Sequence, residues 1–88
     1  MNKIENDIEV KNLINYIRKC NKIPMIVIYG KTKDYPEHFV ARLFDMNIAT
    51  SYITKNKNYK NLIDTLPGYM ISLGRHPNDD ECIISVYV

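Results

Sequence analysis

Apolar residues near the N-terminus recur at intervals of three and four along the chain. The residues with this spacing are Val10, Leu13, Ile14 and Ile17. One face of an amphipathic helix has the same spacing, so we predict a helix over residues 6–20. Asn6 and Glu9 stand three residues apart, as in the capping box that opens many helices.

A different pattern follows at residues 24–29, P-M-I-V-I-Y, where apolar residues run without a break. The run is too short for a helix, is rich in β-branched residues and is followed by Gly30. A strand that is covered on both faces has this pattern, whereas a strand with one solvent-exposed face alternates apolar and polar residues. We therefore predict a central strand here.

Residues 34–46 are ambiguous between a helix and a strand. Asp34 is a favourable N-cap and Glu37 would complete a capping box, while a proline such as Pro36 is tolerated in a first helical turn. A helix would place Val40, Leu43 and Phe44 on its inner face. Alternation alone would also allow a strand at residues 39–45, but the capping residues favour the helix, which is our prediction.

The rest of the chain completes the predicted order. We predict a strand at residues 50–54, a short helix that Asn58 caps and Pro67-Gly68 ends, and a hairpin of strands 69–73 and 82–88. The order is then α-β-α-β-α-β-β, with a right-handed crossover between the first two strands. These elements predict an α/β fold, a four-stranded mixed sheet flanked by helices, in one domain over residues 1–88.

Composition and charge narrow the class of protein. The chain has 88 residues and a formal net charge of +2, which neither demands nor excludes an anionic partner. Its two cysteines, Cys20 and Cys82, lack the spacing of a redox or metal motif. The first ten residues lack the apolar segment of a signal peptide, and no run is long enough to span a bilayer. We expect a cytoplasmic protein with reduced thiols that does not enter membranes.

Three segments resemble the glutaredoxin branch of the thioredoxin fold. Residues 24–31, P-M-I-V-I-Y-G-K, are similar to the first strand of that family and its following lysine. Asp34-Tyr35-Pro36-Glu37 stands where the family has C-P-Y-C at the start of a helix. Thr65-Leu66-Pro67 is similar to the T-V-P before its third strand. The resemblance implies a thioredoxin-like fold in which Pro67 is cis and borders the active site.

The resemblance also implies where a site would lie and what it would lack. Asp34 and Glu37 replace both redox cysteines, so the resemblance disfavours catalysis and implies a non-catalytic binding module. It implies no cofactor and leaves glutathione as a candidate ligand of the groove. The implied binding groove is lined by Lys31, Lys33, Asp34, Tyr35, Glu37, Leu66 and Pro67.

We expect the partner to be another protein or a second copy in a homodimer, since a sheet edge is open to strand addition. One alternative is a residual glutathione-dependent thiol–disulfide oxidoreductase that uses the remaining cysteines. Another is single-stranded nucleic acid binding, in which tyrosines would stack on bases. The ten acidic residues disfavour nucleic acid. The tyrosines proposed for stacking on bases are Tyr29, Tyr35, Tyr52 and Tyr59.

The acidic turn at residues 76–81 lacks the spacing of a calcium loop, so we predict no metal site.

Overall fold

A computed structural model describes residues 7–19, 23–30, 32–33, 35–46, 48–74 and 82–88 of the chain. Strands dominate this part of the protein, and its two helical segments are short. In chain order the elements are β1 (Ile8–Glu9), a 3₁₀ helix (Leu13–Lys19), β2 (Pro24–Gly30), β3 (Phe39–Asp45), β4 (Ile48–Asn56), α1 (Tyr59–Asp64), β5 (Ser72–Gly74) and β6 (Ile83–Tyr87).

All six strands form one mixed sheet in the order β1-β4-β3-β2-β6-β5. β1 pairs with β4 in parallel, and each of the other neighbouring pairs is antiparallel. β2 lies inside the sheet between β3 and β6, and four consecutive residues, Ile26 to Tyr29, are buried. The prediction of a central strand from the unbroken apolar run is therefore confirmed.

The predicted four-stranded sheet flanked by helices, with the order α-β-α-β-α-β-β, is wrong. β2, β3 and β4 follow one another as an antiparallel meander, so the predicted parallel crossover between the first two strands does not form. The protein is mostly β-structure rather than a layered α/β domain. The thioredoxin-like fold that the glutaredoxin resemblance implied is likewise contradicted by this topology.

The predicted helix at residues 34–46 is wrong because residues 39–45 form β3. This strand pairs with β2 along its whole length and with β4 on its other side. Its central residues, Val40 to Leu43, are all buried. The alternation that allowed a strand at residues 39–45 was therefore the correct signal, and the apparent helix cap before it was misleading.

The residues that resembled a helix cap form a turn instead. The backbone N–H of His38 donates to the carbonyl of Tyr35 at 3.2 Å, which closes a four-residue turn. Pro36 is the second residue of this turn, where its fixed φ angle is favourable. Pro36 and the acidic residues beside it therefore indicated a turn before β3 and not the start of a helix.

The predicted helix at residues 6–20 is also wrong over its first half. Residues 8–9 pair with β4 as β1, and helical structure begins only at Leu13 and is of the 3₁₀ type. The side chain of Asn12 accepts a hydrogen bond from the backbone N–H of Ile14 at 2.9 Å. This contact caps the 3₁₀ helix, so the chain turns from strand to helix at Asn12.

The later predicted elements agree with the structure. β4 contains the predicted strand at residues 50–54, and β5 and β6 pair antiparallel as predicted, although β5 begins at Ser72 rather than at residue 69. Asn58 caps α1, because its side chain accepts from the backbone N–H of Asn61 at 3.0 Å. By contrast, the expected cis bond before Pro67 is absent, since no peptide bond of the described residues is cis.

The sheet separates two apolar clusters. Alternate residues of β2 point to opposite faces. Ile26 and Ile28 belong to one face, which α1 and the 3₁₀ helix cover, whereas Val27 and Tyr29 belong to the other. The buried members of the first cluster are Leu13, Ile26, Ile28, Ala41, Leu43, Leu62, Leu66 and Met70. The buried members of the second cluster are Val27, Tyr29, Val40 and Ile53.

Leu62 is the buried residue by which α1 contacts the sheet. We predict that Leu62→Ala lowers the free energy of unfolding by about 2–5 kcal/mol, because it leaves a cavity under the helix. Urea denaturation followed by circular dichroism measures this loss. The exposed neighbour Lys60→Ala is the control and should change stability by less than about 0.5 kcal/mol. Equal losses in the two variants would contradict this packing of α1.

Candidate functional site

The residues of the predicted binding groove do not meet on one surface. Tyr35 packs against the second apolar cluster, whereas Leu66 belongs to the first cluster on the opposite face of the sheet. Pro67 is buried beside Leu66, and Lys33 and Glu37 are exposed. Lys31 and Asp34 lie outside the described residues. Without a helix after Tyr35, no helix dipole is present there to attract an anion.

Tyr35 instead contributes to a buried polar network around Arg42. The guanidinium of Arg42 donates from Nη1 to Asp7 Oδ1 at 2.9 Å and from Nη2 to Asp7 Oδ2 at 3.1 Å. The hydroxyl of Tyr35 donates to Asp7 Oδ2 at 2.8 Å, and Arg42 Nη1 also donates to the carbonyl of Thr50 at 2.9 Å. The side chains of Arg42 and Asp7 are only 2% and 5% exposed.

This network is a structural element rather than a catalytic one. Its two charges neutralise each other in a bidentate pair, and the remaining hydrogen bonds go to a neutral hydroxyl and a backbone carbonyl. The pair is buried in the sheet, so a substrate in solution would not reach it. Sequence analysis missed this pair because Asp7 and Arg42 lie far apart along the chain and no local pattern links them.

Lys55 and Glu9 extend the charged region toward the surface. Lys55 Nζ lies 3.4 Å from Glu9 Oε2 and 5.2 Å from the centre of the Tyr35 ring. The lysine therefore interacts with a carboxylate and with an aromatic face at the same time. These contacts lie at the β1 side of the sheet and leave that edge charged.

The tyrosines proposed for base stacking are engaged in the fold. Tyr29 is 6% exposed, and Tyr52 stacks on Tyr16 with ring centres 4.5 Å apart. Tyr59 contacts Phe39 edge to face at 5.5 Å. These tyrosines therefore contribute to packing rather than to an open platform for nucleic acid bases.

A polar cleft of about 480 Å³ opens between β4, α1 and the segment that follows β1. The hydroxyl of Thr65 donates to the carbonyl of Leu62 at 2.7 Å, and that of Thr54 donates to the carbonyl of Lys11 at 3.5 Å. Both hydroxyls are therefore used in local backbone contacts. The residues that line the cleft are Glu9, Val10, Lys11, Thr54, Lys55, Asn56, Leu62 and Thr65.

At the other end of the sheet, β5 and the residues just before it present an exposed apolar surface. Tyr69, Ile71 and Leu73 are 73%, 67% and 64% exposed. No charged residue occurs in residues 66–74. Large exposed apolar side chains on an uncharged edge strand are unusual, because natural proteins commonly protect such edges with charge. We refer to Tyr69, Ile71, Ser72 and Leu73 as the β5 edge.

A group of hydroxyls attaches the β5 edge to the rest of the sheet. Ser72 lies opposite Tyr87, and Tyr59 and Ser85 approach each other at 3.5 Å between their hydroxyl oxygens. Burial raises the pKa of Tyr87 above its ordinary value of 10.0, and the neighbouring Tyr59 raises it further. Hydrogen bonds with Ser72 and Ser85 partly oppose this shift in the pKa of Tyr87.

The described residues offer little for metal or thiol chemistry. No three His, Cys, Asp or Glu side chains within these ranges are close enough together to hold a metal ion. Cys82 is half-buried and packs against the second apolar cluster. Cys20 and the acidic turn at residues 76–81 lie outside the part of the chain that the structure describes. In that part, no helix is long and apolar enough to cross a bilayer.

Comparison of the chain with models of protein families, with curated proteins and with solved structures found no match. The candidate surfaces are therefore judged on their geometry. The buried Arg42 network is closed to solvent and the polar cleft lacks a directed set of reactive groups. The β5 edge carries the three most exposed large apolar side chains of the described residues.

We predict that Asp7→Ala lowers the free energy of unfolding by about 3–5 kcal/mol, since it leaves the Arg42 guanidinium buried without a counter-charge. The double variant Asp7→Leu with Arg42→Met should recover most of this loss, because it removes both charges. Urea denaturation measures both effects. As a control, Glu9→Gln removes the charge of an exposed pair and should cost less than about 1 kcal/mol. Similar losses for Asp7→Ala and Glu9→Gln would contradict burial of the Arg42 pair.

We predict that the raised pKa of Tyr87 makes the protein less stable as pH rises above 10.0. In that range an unfolded tyrosine has lost its proton while folded Tyr87 retains it, so unfolding releases a proton and alkali favours it. Tyr87→Phe should reduce the slope of stability against pH in this range. Urea denaturation at a series of alkaline pH values measures the slope for both proteins. An unchanged slope in the variant would show that other groups cause the alkaline loss.

Proposed function

We propose that this domain is a non-catalytic binding module that contacts a protein partner through the β5 edge. The observation that carries the proposal is the exposure of Leu73 on β5, and of Ile71 and Tyr69 in the uncharged segment just before it, at the end of the sheet. A binding role agrees with the role that the glutaredoxin resemblance implies. The surface differs, because the helix that would border the family's groove is replaced by β3.

Strand addition is the mode of binding that this surface favours. An extended segment placed beside β5 would pair with its backbone groups, which supplies affinity that does not depend on sequence. The side chains of Ile71 and Leu73 would then contact the added strand and supply preference for apolar residues. A partner of this kind is an extended, apolar protein segment with little charge of its own.

Two alternative functions have less support from the contacts. Nucleic acid binding would need open aromatic faces, whereas Tyr29 is buried and Tyr52 is stacked on Tyr16. Thiol–disulfide exchange would need an accessible and activated thiolate. Cys82 is half-buried and packs against apolar residues of the second cluster, which limits the access of a disulfide substrate to its sulfur. Glutathione remains a ligand to be tested beside the protein partner.

We predict that the tagged protein captures a partner from its native cells and that Ile71→Lys abolishes the capture. A lysine at this position would place a charge inside the added-strand contact. Mass spectrometry of the captured proteins, with the wild type and the variant side by side, measures the effect. Calorimetry with glutathione is run in parallel on the wild-type protein.

Ile48→Lys is the matched control for that experiment. Ile48 is 62% exposed on β4, so this variant adds the same charge at a similar exposure but away from the β5 edge. It should capture the same partner as the wild type. Capture that survives Ile71→Lys, or is lost equally in both variants, would argue against the β5 edge as the contact surface.

A further inference from the structure

The backbone N–H and C=O of Ser72 point away from β6, toward the open side of the sheet. Its neighbour Ile71 exchanges two hydrogen bonds with Val88 across the β5–β6 pair, with N···O distances of 2.8 and 3.0 Å. In antiparallel strands, the residue next to such a bonded pair turns its N–H and C=O to the opposite side. No strand of the described sheet lies beyond β5, so these two groups of Ser72 face outward.

We propose that a second copy of this chain occupies the β5 edge, with two β5 strands paired antiparallel about a two-fold axis at Ser72. This inference rests on the proposed function and names its partner. At the axis, the N–H of each Ser72 donates to the C=O of the other, so both outward groups are used. The two sheets then continue as one sheet across the axis.

The side chains beside the axis are self-complementary. In this register Ile71 of each copy lies opposite Leu73 of the other, so the two-fold axis gives two Ile71–Leu73 contacts in each dimer. Both residues are about two-thirds exposed in the single chain, at 67% and 64%. Pairing would therefore remove four large aliphatic side chains from water in each dimer, which is favourable.

Charge favours pairing of β5 with β5 rather than with the other edge of the sheet. Residues 66–74 carry no charge, and the whole chain has a net charge of only +2, so two copies repel each other weakly. On the β1 edge, Glu9 instead interacts at 3.4 Å with Lys55 of the neighbouring strand β4. Charged side chains on an edge strand oppose pairing with another strand. A β5–β5 pair closes as a dimer, whereas β5 on β1 would extend into a filament.

The short length of β5 limits the strength of the dimer. β5 has three residues, and its pairing with β6 shifts register between Ser72 and Gly74. Gly74 has a positive φ of 69°, a conformation that ends the extended segment. An interface built on so short a strand is smaller than that of obligate dimers. We therefore expect a reversible dimer whose population rises with protein concentration.

Sedimentation of the purified full-length chain over a series of concentrations tests this inference. The wild type should change from monomer to dimer as concentration rises. Ile71→Lys should raise the dissociation constant by about tenfold or more, because two charges enter the contact of each dimer. Ile48→Lys is the control with a similar exposure on β4, and it should sediment as the wild type does. Circular dichroism confirms that each variant is folded.

A second pair of variants tests the register. Ser72→Pro removes the N–H at the axis without removing a backbone hydrogen bond to β6, and it should abolish the dimer in a protein that circular dichroism shows to be folded. Ser72→Cys should form a disulfide between copies on mild oxidation, since only residues at the axis meet their own symmetry mates. Ile48→Cys and the wild type, treated in the same way, show the background from other thiols.

The outcomes separate the two proposals. A dimer that Ile71→Lys and Ser72→Pro weaken, and that Ser72→Cys links, supports the β5–β5 pair. A wild type that stays monomeric at all concentrations overturns the second copy as the occupant. The proposed function would then still stand if Ile71→Lys abolished capture of a different protein. A dimer that none of the β5 variants weakens overturns this inference by placing the contact elsewhere.

Discussion

The buried ion pair between Arg42 and Asp7 is the contact on which the arrangement of the N-terminal segment depends. β1 contributes only two residues to the sheet, and few backbone hydrogen bonds hold it there. Arg42 lies in the middle of β3, where burying its charged guanidinium is unfavourable. The bidentate hydrogen bonds to the Asp7 carboxylate offset this cost. The pair therefore fixes the start of β1 beside the sheet, and Tyr35 adds a third contact from the turn before β3.

The parts of the fold that sequence predicts correctly are those with signals contained in a few neighbouring residues. The apolar run of β2 predicts a central strand, and Asn58 predicts the start of α1, because a cap and its partner lie three residues apart. The β5–β6 hairpin follows from two β-prone segments near each other. β3 is the instructive failure, because residues 34–37 resembled a helix cap whereas the bond from the His38 N–H to the Tyr35 carbonyl closes a turn that leads into a strand.

The candidate site was beyond sequence analysis for a related reason. Which strand lies at the end of the sheet depends on the order β1-β4-β3-β2-β6-β5, and strand order is decided by contacts between distant residues. The sequence predicted a strand around Ile71 and Leu73 but not that this strand would end the sheet. Likewise, Tyr35 was placed in a groove with Leu66, although the sheet puts the two side chains on opposite faces.

The two ends of the sheet differ in a way that links stability to binding. At the β1 end, the buried ion pair of Asp7 anchors the edge strand. The exposed pair of Glu9 with Lys55 opposes the addition of another strand there. At the β5 end, mutual hydrogen bonds of Ile71 with Val88 and the hydroxyls near Tyr87 hold the strand, and none of these contacts adds charge. An edge held by neutral contacts remains open to pairing. In the proposed dimer the two β5 edges cover each other about a two-fold axis, so association through them stops at two copies instead of continuing along the sheet.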